Sequence, residues 1–132
     1  MLSKKKILVV DDDPVIRDVF KIILEAAGYE VELTGDGREL LKNQFSPPHL
    51  FLIDKLLSGV NGLDICKHLK AQKATKNIPV IMISASPGIA GQSAEAGADD
   101  HIEKPFDRSH LLKVVSRNIS NGRINGYKKE RP

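Results

Sequence analysis

The chain has 132 residues, 41% hydrophobic and 28% charged, with one cysteine, no tryptophan and a formal net charge of +3. That length suits one domain around one hydrophobic core, and the single Cys66 excludes an internal disulfide and a cysteine-built metal cage. No apolar run approaches the roughly 20 residues that span a bilayer, and "MLSKKK" leads into a short apolar segment closed by acids, unlike a signal peptide; a cytoplasmic protein without membrane insertion is expected.

The first apolar run, Ile7–Asp11 (ILVVD), reads as a strand and is followed by Asp12 and Asp13. Pro14–Ala27 then places Ile16, Val19, Phe20 and Ile23 at helical spacing, with Asp13 positioned to cap, Pro14 in the first turn and Gly28 just past the end. Glu30–Thr34 is a second strand and Asp36–Asn43 a short helical candidate. Leu50–Asp54 (LFLID) is a third strand that stops on an acid, and Leu63–Lys70 is again helical in pattern. Pro79–Ser84 (PVIMIS) is a fourth strand. Beyond it, Pro87, Gly88 and Gly91 stand where another helix should begin. Glycine costs about 1 kcal/mol in a helix interior and proline more, so this fourth helix is expected to be short, displaced or irregular. His101–Lys104 is the fifth strand, and Asp107 can cap a last helix whose apolar face is Leu111, Leu112, Val114, Val115 and Ile119.

Residues 1–120 are thus assigned to the domain and 121–132 to a basic, flexible tail. From residue 118 onward Arg123, Lys128, Lys129 and Arg131 face only Glu130, and the rest of the chain is balanced, so the whole charge excess is terminal. A short basic tail of this kind is ordinarily solvated, and direct nucleic-acid binding is not expected from this chain.

Three of the five strands are nearly continuous in apolar residues, the pattern of strands covered on both faces. The fold class is therefore α/β, a (βα)₅ arrangement with a doubly wound five-stranded parallel sheet joined by right-handed crossovers. In such sheets the functional crevice lies beyond the carboxyl ends of the strands, where strand order reverses. Four of the five strands deliver a polar group to that edge: Asp11 to Asp13, Asp54, Ser84 and Lys104. Three or four carboxylates meeting in a small volume raise one another's pKa unless a cation joins them. Oxygen ligands suit a hard ion such as Mg²⁺, which takes one or two carboxylates and keeps waters. A carboxylate nucleophile, a divalent ion, a lysine and a hydroxyl are the parts required for phosphoryl transfer to Asp54. Asp13 in its "DP" context reads as a helix cap, and His49, His68, His101 and His110 lack metal-ligand spacing.

With "ILVVDDDP", "LIDKLLSGVNG" (Gly62 eight positions after the acid), "VIMISA" and "GADDHIEKPF" in this order, residues 5 to about 120 resemble the receiver domains of two-component response regulators, the CheY-like proteins of flavodoxin-like fold. The resemblance implies that Asp54 is the phosphoacceptor and that Asp12, Asp54 and the backbone carbonyl of Leu56 ligate Mg²⁺ (or Mn²⁺). Asp11 would hold a metal-bound water, Ser84 would contact the phosphoryl group, and Lys104 would form its ion pair. A cis bond is implied between Lys104 and Pro105. The implied phosphodonor is a sensor histidine kinase or a histidine phosphotransfer protein.

Several positions depart from the family pattern. His101 stands where the family usually has Tyr or Phe as an inward-swinging switch; imidazole is smaller and titrates near neutrality, which implies a weaker or pH-sensitive switch. Ser58 stands where proline is common, at some cost in loop rigidity. Leu56 and Ser86, two positions beyond Asp54 and Ser84, are where the family modulates dephosphorylation, and an apolar Leu56 implies slow self-hydrolysis. The irregular fourth helix makes it doubtful that the family's fourth-and-fifth-helix output face carries over. The leading reading is a phosphorylation-controlled switch that catalyses its own phosphotransfer and dephosphorylation but is not an enzyme in the turnover sense. The alternatives are a phosphohydrolase with an aspartyl-phosphate intermediate, against which stands Leu56 where a second acid would sit, and a phosphorylation-independent binding module.

Overall fold

The computed structural model describes residues 4–124. Its elements in chain order are β1 (Lys6–Val10), α1 (Pro14–Ala26), β2 (Glu30–Thr34), α2 (Arg38–Leu41), β3 (Leu50–Asp54), β4 (Leu56–Leu57), β5 (Val60–Asn61), α3 (Gly62–Lys70), β6 (Val80–Ser84), α4 (Ile89–Ala96), β7 (Asp100–Glu103) and α5 (Arg108–Ile124). Five strands form one parallel sheet in the order β2-β1-β3-β6-β7. The expected doubly wound (βα)₅ sheet is therefore present, and its order reverses between β1 and β3.

The strands are buried because each feeds two cores, as a period of two demands. On one face Ile7, Val9, Leu50, Leu52, Ile81, Ile83 and Ile102 pack against Phe20 and Leu24 of α1 and Leu111, Val114 and Val115 of α5. On the other, Leu8, Val10, Phe51, Ile53, Val80 and Met82 meet Leu40 of α2, Ile65, Cys66 and Leu69 of α3, and Ile89 and Ala96 of α4. This explains why β3 and β6 are apolar at every position rather than alternating: both of their faces are interior.

Helix α1 starts where its cap chemistry requires: the Asp13 side chain accepts hydrogen bonds from the Val15 and Ile16 N–H groups, and Pro14 follows it. Asp107 likewise accepts from the His110 N–H at the start of α5. Helix α4 is short, eight residues, and begins only after Gly88, which takes a left-handed φ of +84°. One element escapes the strand and helix patterns: β4 and β5 form a small antiparallel hairpin, pairing Leu56 with Asn61 and Leu57 with Val60. Helix α5 continues to Ile124, and the tail expected to be flexible lies, from residue 125 on, outside the described residues. No described helix is long and apolar enough to cross a membrane.

Candidate functional site

Strand register brings the two central acids together. β1 and β3 pair Ile7 with Leu50 through Val10 with Ile53, so one residue further Asp11 and Asp54 lie side by side at the point of strand reversal. By the pleat they share the face of Ile7, Val9, Leu50 and Leu52, the side covered by α1 and α5. Lys104 follows β7, its N–H bonded to the Ser84 carbonyl, and its Nζ reaches back to Asp54 Oδ2 at 2.7 Å. The other Asp54 oxygen, Oδ1, accepts from the Leu56 N–H at 3.0 Å, so this carboxylate is gripped at both ends. The Lys104–Pro105 bond is cis.

Asp11 is only 2% exposed and is less well provided. Its Oδ1 accepts from the Asp13 N–H at 3.0 Å, while Oδ2 is buried without a hydrogen-bond partner and lies 3.8 Å from Lys104 Nζ. Burial, reinforced by the neighbouring Asp54, pushes the Asp11 pKa up to about 6, against the opposing pull of the Asp13 N–H and Lys104. At Lys104 burial works against the charge, but the hydrogen bond to Asp54 and the negative charges of Asp54 and Asp11 outweigh it and raise its pKa. A buried, unsatisfied carboxylate oxygen beside a second carboxylate is a place where a hard cation is favoured, and the donors here are all oxygens.

The expected convergence of three or more acids is not what the fold delivers. Among the described residues no group of three His, Cys, Asp or Glu side chains is assembled to hold a metal ion. Asp12 is turned to the β4–β5 hairpin, where Ser58 donates two hydrogen bonds to its Oδ2. The Ser58 hydroxyl and N–H hold the Asp12 pKa below the ordinary carboxylate range. The physical reason is mutual repulsion: a third carboxylate beside Asp11 and Asp54 raises all three pKa values, whereas two donors stabilise it at Ser58.

Ser84 is buried at the end of β6, and its Oγ accepts from the Ser86 N–H at 2.9 Å. His101 is half-buried on β7 opposite Met82, and lines a cleft of about 390 Å³ with Glu103, Pro105, His110 and Arg117. Leu56 is 67% exposed beside Asp54. Gly62 has a steric explanation: a Cβ there would collide with the backbone carbonyl of Asp54, so the loop closes tightly against the site only with glycine at this position.

Two contacts were not read from the sequence. Arg17 of α1 donates from Nη1 to the Asp11 backbone carbonyl at 2.8 Å, and the backbone of Gly35 passes so close to this guanidinium that a side chain there would strike it. The pairing of Ser58 with Asp12 spans 46 positions. The dipeptide Ser58-Gly59 is a legible turn signal, but which acid the turn would meet is not local information.

The match to the response regulator receiver domain family runs over residues 7–116, from the second residue of β1 to about half-way along α5. The chain belongs to that family. This receiver domain is 40% identical over 114 residues to the DNA-binding dual master transcriptional regulator RpaA of Synechocystis, an alignment covering 83% of this chain and 47% of that protein. The chain therefore spans about half the length of the curated relatives it matches. Among solved structures, a CheY-like receiver domain protein of Methanospirillum hungatei superposes with a TM-score of 0.82 at 34% identity, covering 92% of this chain and 98% of that one. The receiver domain of a Pseudomonas aeruginosa sensor histidine kinase, described with a magnesium ion coordinated in its active site cleft, gives 0.81 at 28% identity over 90% of this chain and all of that one.

Proposed function

We propose that this receiver domain accepts a phosphoryl group on Asp54 from a sensor histidine kinase or a histidine phosphotransfer protein. The observation that carries the reading is the pairing of Asp54 with Lys104 at 2.7 Å beside the buried Oδ2 of Asp11, which has no hydrogen bond. The nucleophile is an Asp54 oxygen: its bond to phosphorus forms as the phosphorus–nitrogen bond of the donor's phosphohistidine breaks, and the imidazole leaves with a proton. Lys104, already on Asp54, is placed to follow the negative charge onto the phosphoryl oxygens. Mg²⁺ (or Mn²⁺) suits oxygen donors such as these: Asp12, Asp54 and the Leu56 carbonyl would hold it directly and Asp11 would hold it through a water. It supplies neutralisation of the charge that accumulates among carboxylates and phosphate.

Ser84 Oγ accepts from the Ser86 N–H, which leaves its own O–H to donate to a phosphoryl oxygen, and His101, on the neighbouring strand, would respond to that shift. Leu56 and Ser86 stand where water must approach, and the apolar Leu56 favours a long-lived phosphoprotein; the same side chain leaves no second acid there for a phosphohydrolase. The donor has an apolar stripe to meet. Val15, Val19 and Ile22 lie exposed on α1 at helical spacing and start one turn from the acids. Such donors act in the cytoplasm, where we place the domain.

Intact mass after incubation with acetyl phosphate and MgCl₂ tests the proposal. Wild type is expected to gain one phosphoryl group and Asp54→Asn none. Equal labelling of the two overturns the assignment of Asp54.

A further inference from the structure

Ser58 makes two bonds to one atom. Its N–H, at 2.9 Å, and its Oγ, at 2.7 Å, both donate to Asp12 Oδ2, and the two together use the lone pairs of that oxygen. The contact is exposed, so water can replace either donor, and the bonds are reversible at modest cost. The turn that carries Ser58 is otherwise built by Gly59, which supplies the left-handed φ of +74°; Ser58 itself keeps a negative φ. Asp11 and Asp54 meanwhile share Lys104, whose Nζ lies 3.8 Å and 2.7 Å from them, and among the described residues no third carboxylate joins them.

We propose that Ser58 is a latch on Asp12 that sets the metal affinity of the phosphorylation site: the carboxylate must leave Ser58 for a divalent ion to draw it to the Asp11–Asp54 pair. The proposal rests on the phosphoacceptor reading above, and it makes Ser58 a positioning residue acting through Asp12. Loss of the latch stabilises no contact to the ion; it removes a competitor for one ligand, so binding tightens. A proline at 58 has neither an N–H nor a hydroxyl and removes both bonds, while alanine removes only the hydroxyl's.

The test is a ¹H–¹⁵N NMR titration of wild type, Ser58→Ala and Ser58→Pro with MgCl₂, followed at the amides of Asp12 and Leu56, with circular dichroism to confirm that each variant is folded. The Mg²⁺ Kd is expected to fall about threefold in Ser58→Ala and about tenfold in Ser58→Pro, the size of one and two modest hydrogen bonds. An unchanged Kd in Ser58→Ala would show that Asp12 binds the ion with Ser58 still attached and would overturn the latch, as would a weaker one. Saturable binding by wild type with unaltered variants overturns the latch alone. No saturable binding by wild type overturns the phosphoacceptor reading with it.

Discussion

Among the described residues, two clusters set an aspartate of low exposure against a cation, one around Asp11 and Asp54 and one around Asp100, and they are finished to different degrees. At the far end of β7 from Lys104, Asp100 accepts the His101 N–H on Oδ1 and both Arg117 Nε (3.0 Å) and Asn118 Nδ2 (2.8 Å) on Oδ2, tying β7 to α5. Burial works against that charge, yet these donors outweigh it and hold the Asp100 pKa below the usual range. At the carboxyl edge of the sheet, Asp11 is more deeply buried and yet has an oxygen with no hydrogen-bond donor, and its pKa is driven up to about 6. A satisfied cluster fastens the fold; an unsatisfied one is charged and ready for a ligand, at the expense of stability.

The largest way to break this contrast is chemical. Asp54→Asn is expected to abolish phosphorylation by acetyl phosphate, while Asp100→Asn retains it at the wild-type extent, both measured by intact mass. Next is the structural cluster: Asp100→Ala should lose about 1–3 kcal/mol in urea unfolding at pH 7, because its removal takes the acceptor from the part-buried His101 N–H and from one of the two bonds of Asn118 Nδ2. Since the folded pKa of Asp100 is depressed, its contribution is present above the ordinary carboxylate value and is lost as pH falls below it, so mutant and wild type should converge in acid.

Asp11 should show the opposite sign. With its folded pKa raised from 3.8 to about 6, the native state binds the proton more tightly, and wild-type stability measured in EDTA should fall as pH rises between those values. Asp11→Asn should flatten that slope and gain about 1–3 kcal/mol at pH 8, as two pKa units imply. The smallest effect is expected at Arg117, whose side chain is 53% exposed: Arg117→Ala should cost about 0.5 kcal/mol at low salt and less at high salt, since screening water already weakens the pair.

The strands and caps were readable because their causes are local. Continuous apolar runs such as "LFLI" report burial on both faces, and Asp13-Pro14 carries the start of α1 in two residues. The acids Asp11 and Asp54 were readable as a pair for a related reason: both end strands that a doubly wound fold must set in the middle of its sheet. The β4–β5 hairpin was not, since two-residue strands leave no periodicity to detect, and Asp12 could not be separated from its neighbour Asp11 by composition alone.

The amino-acid order by itself determined the alternation of strand and helix, the edge at which polar groups collect, and the identity of Asp54 and Lys104 as the groups most worth following. Only the tertiary structure decided how the charges are distributed there, with Asp11 left partly unpartnered, Asp12 drawn to Ser58 and Asp54 held by Lys104. Hydrophobic period and capping act over a few residues and are written along the chain, whereas the state of a carboxylate depends on donors brought 46 or 50 positions across the fold.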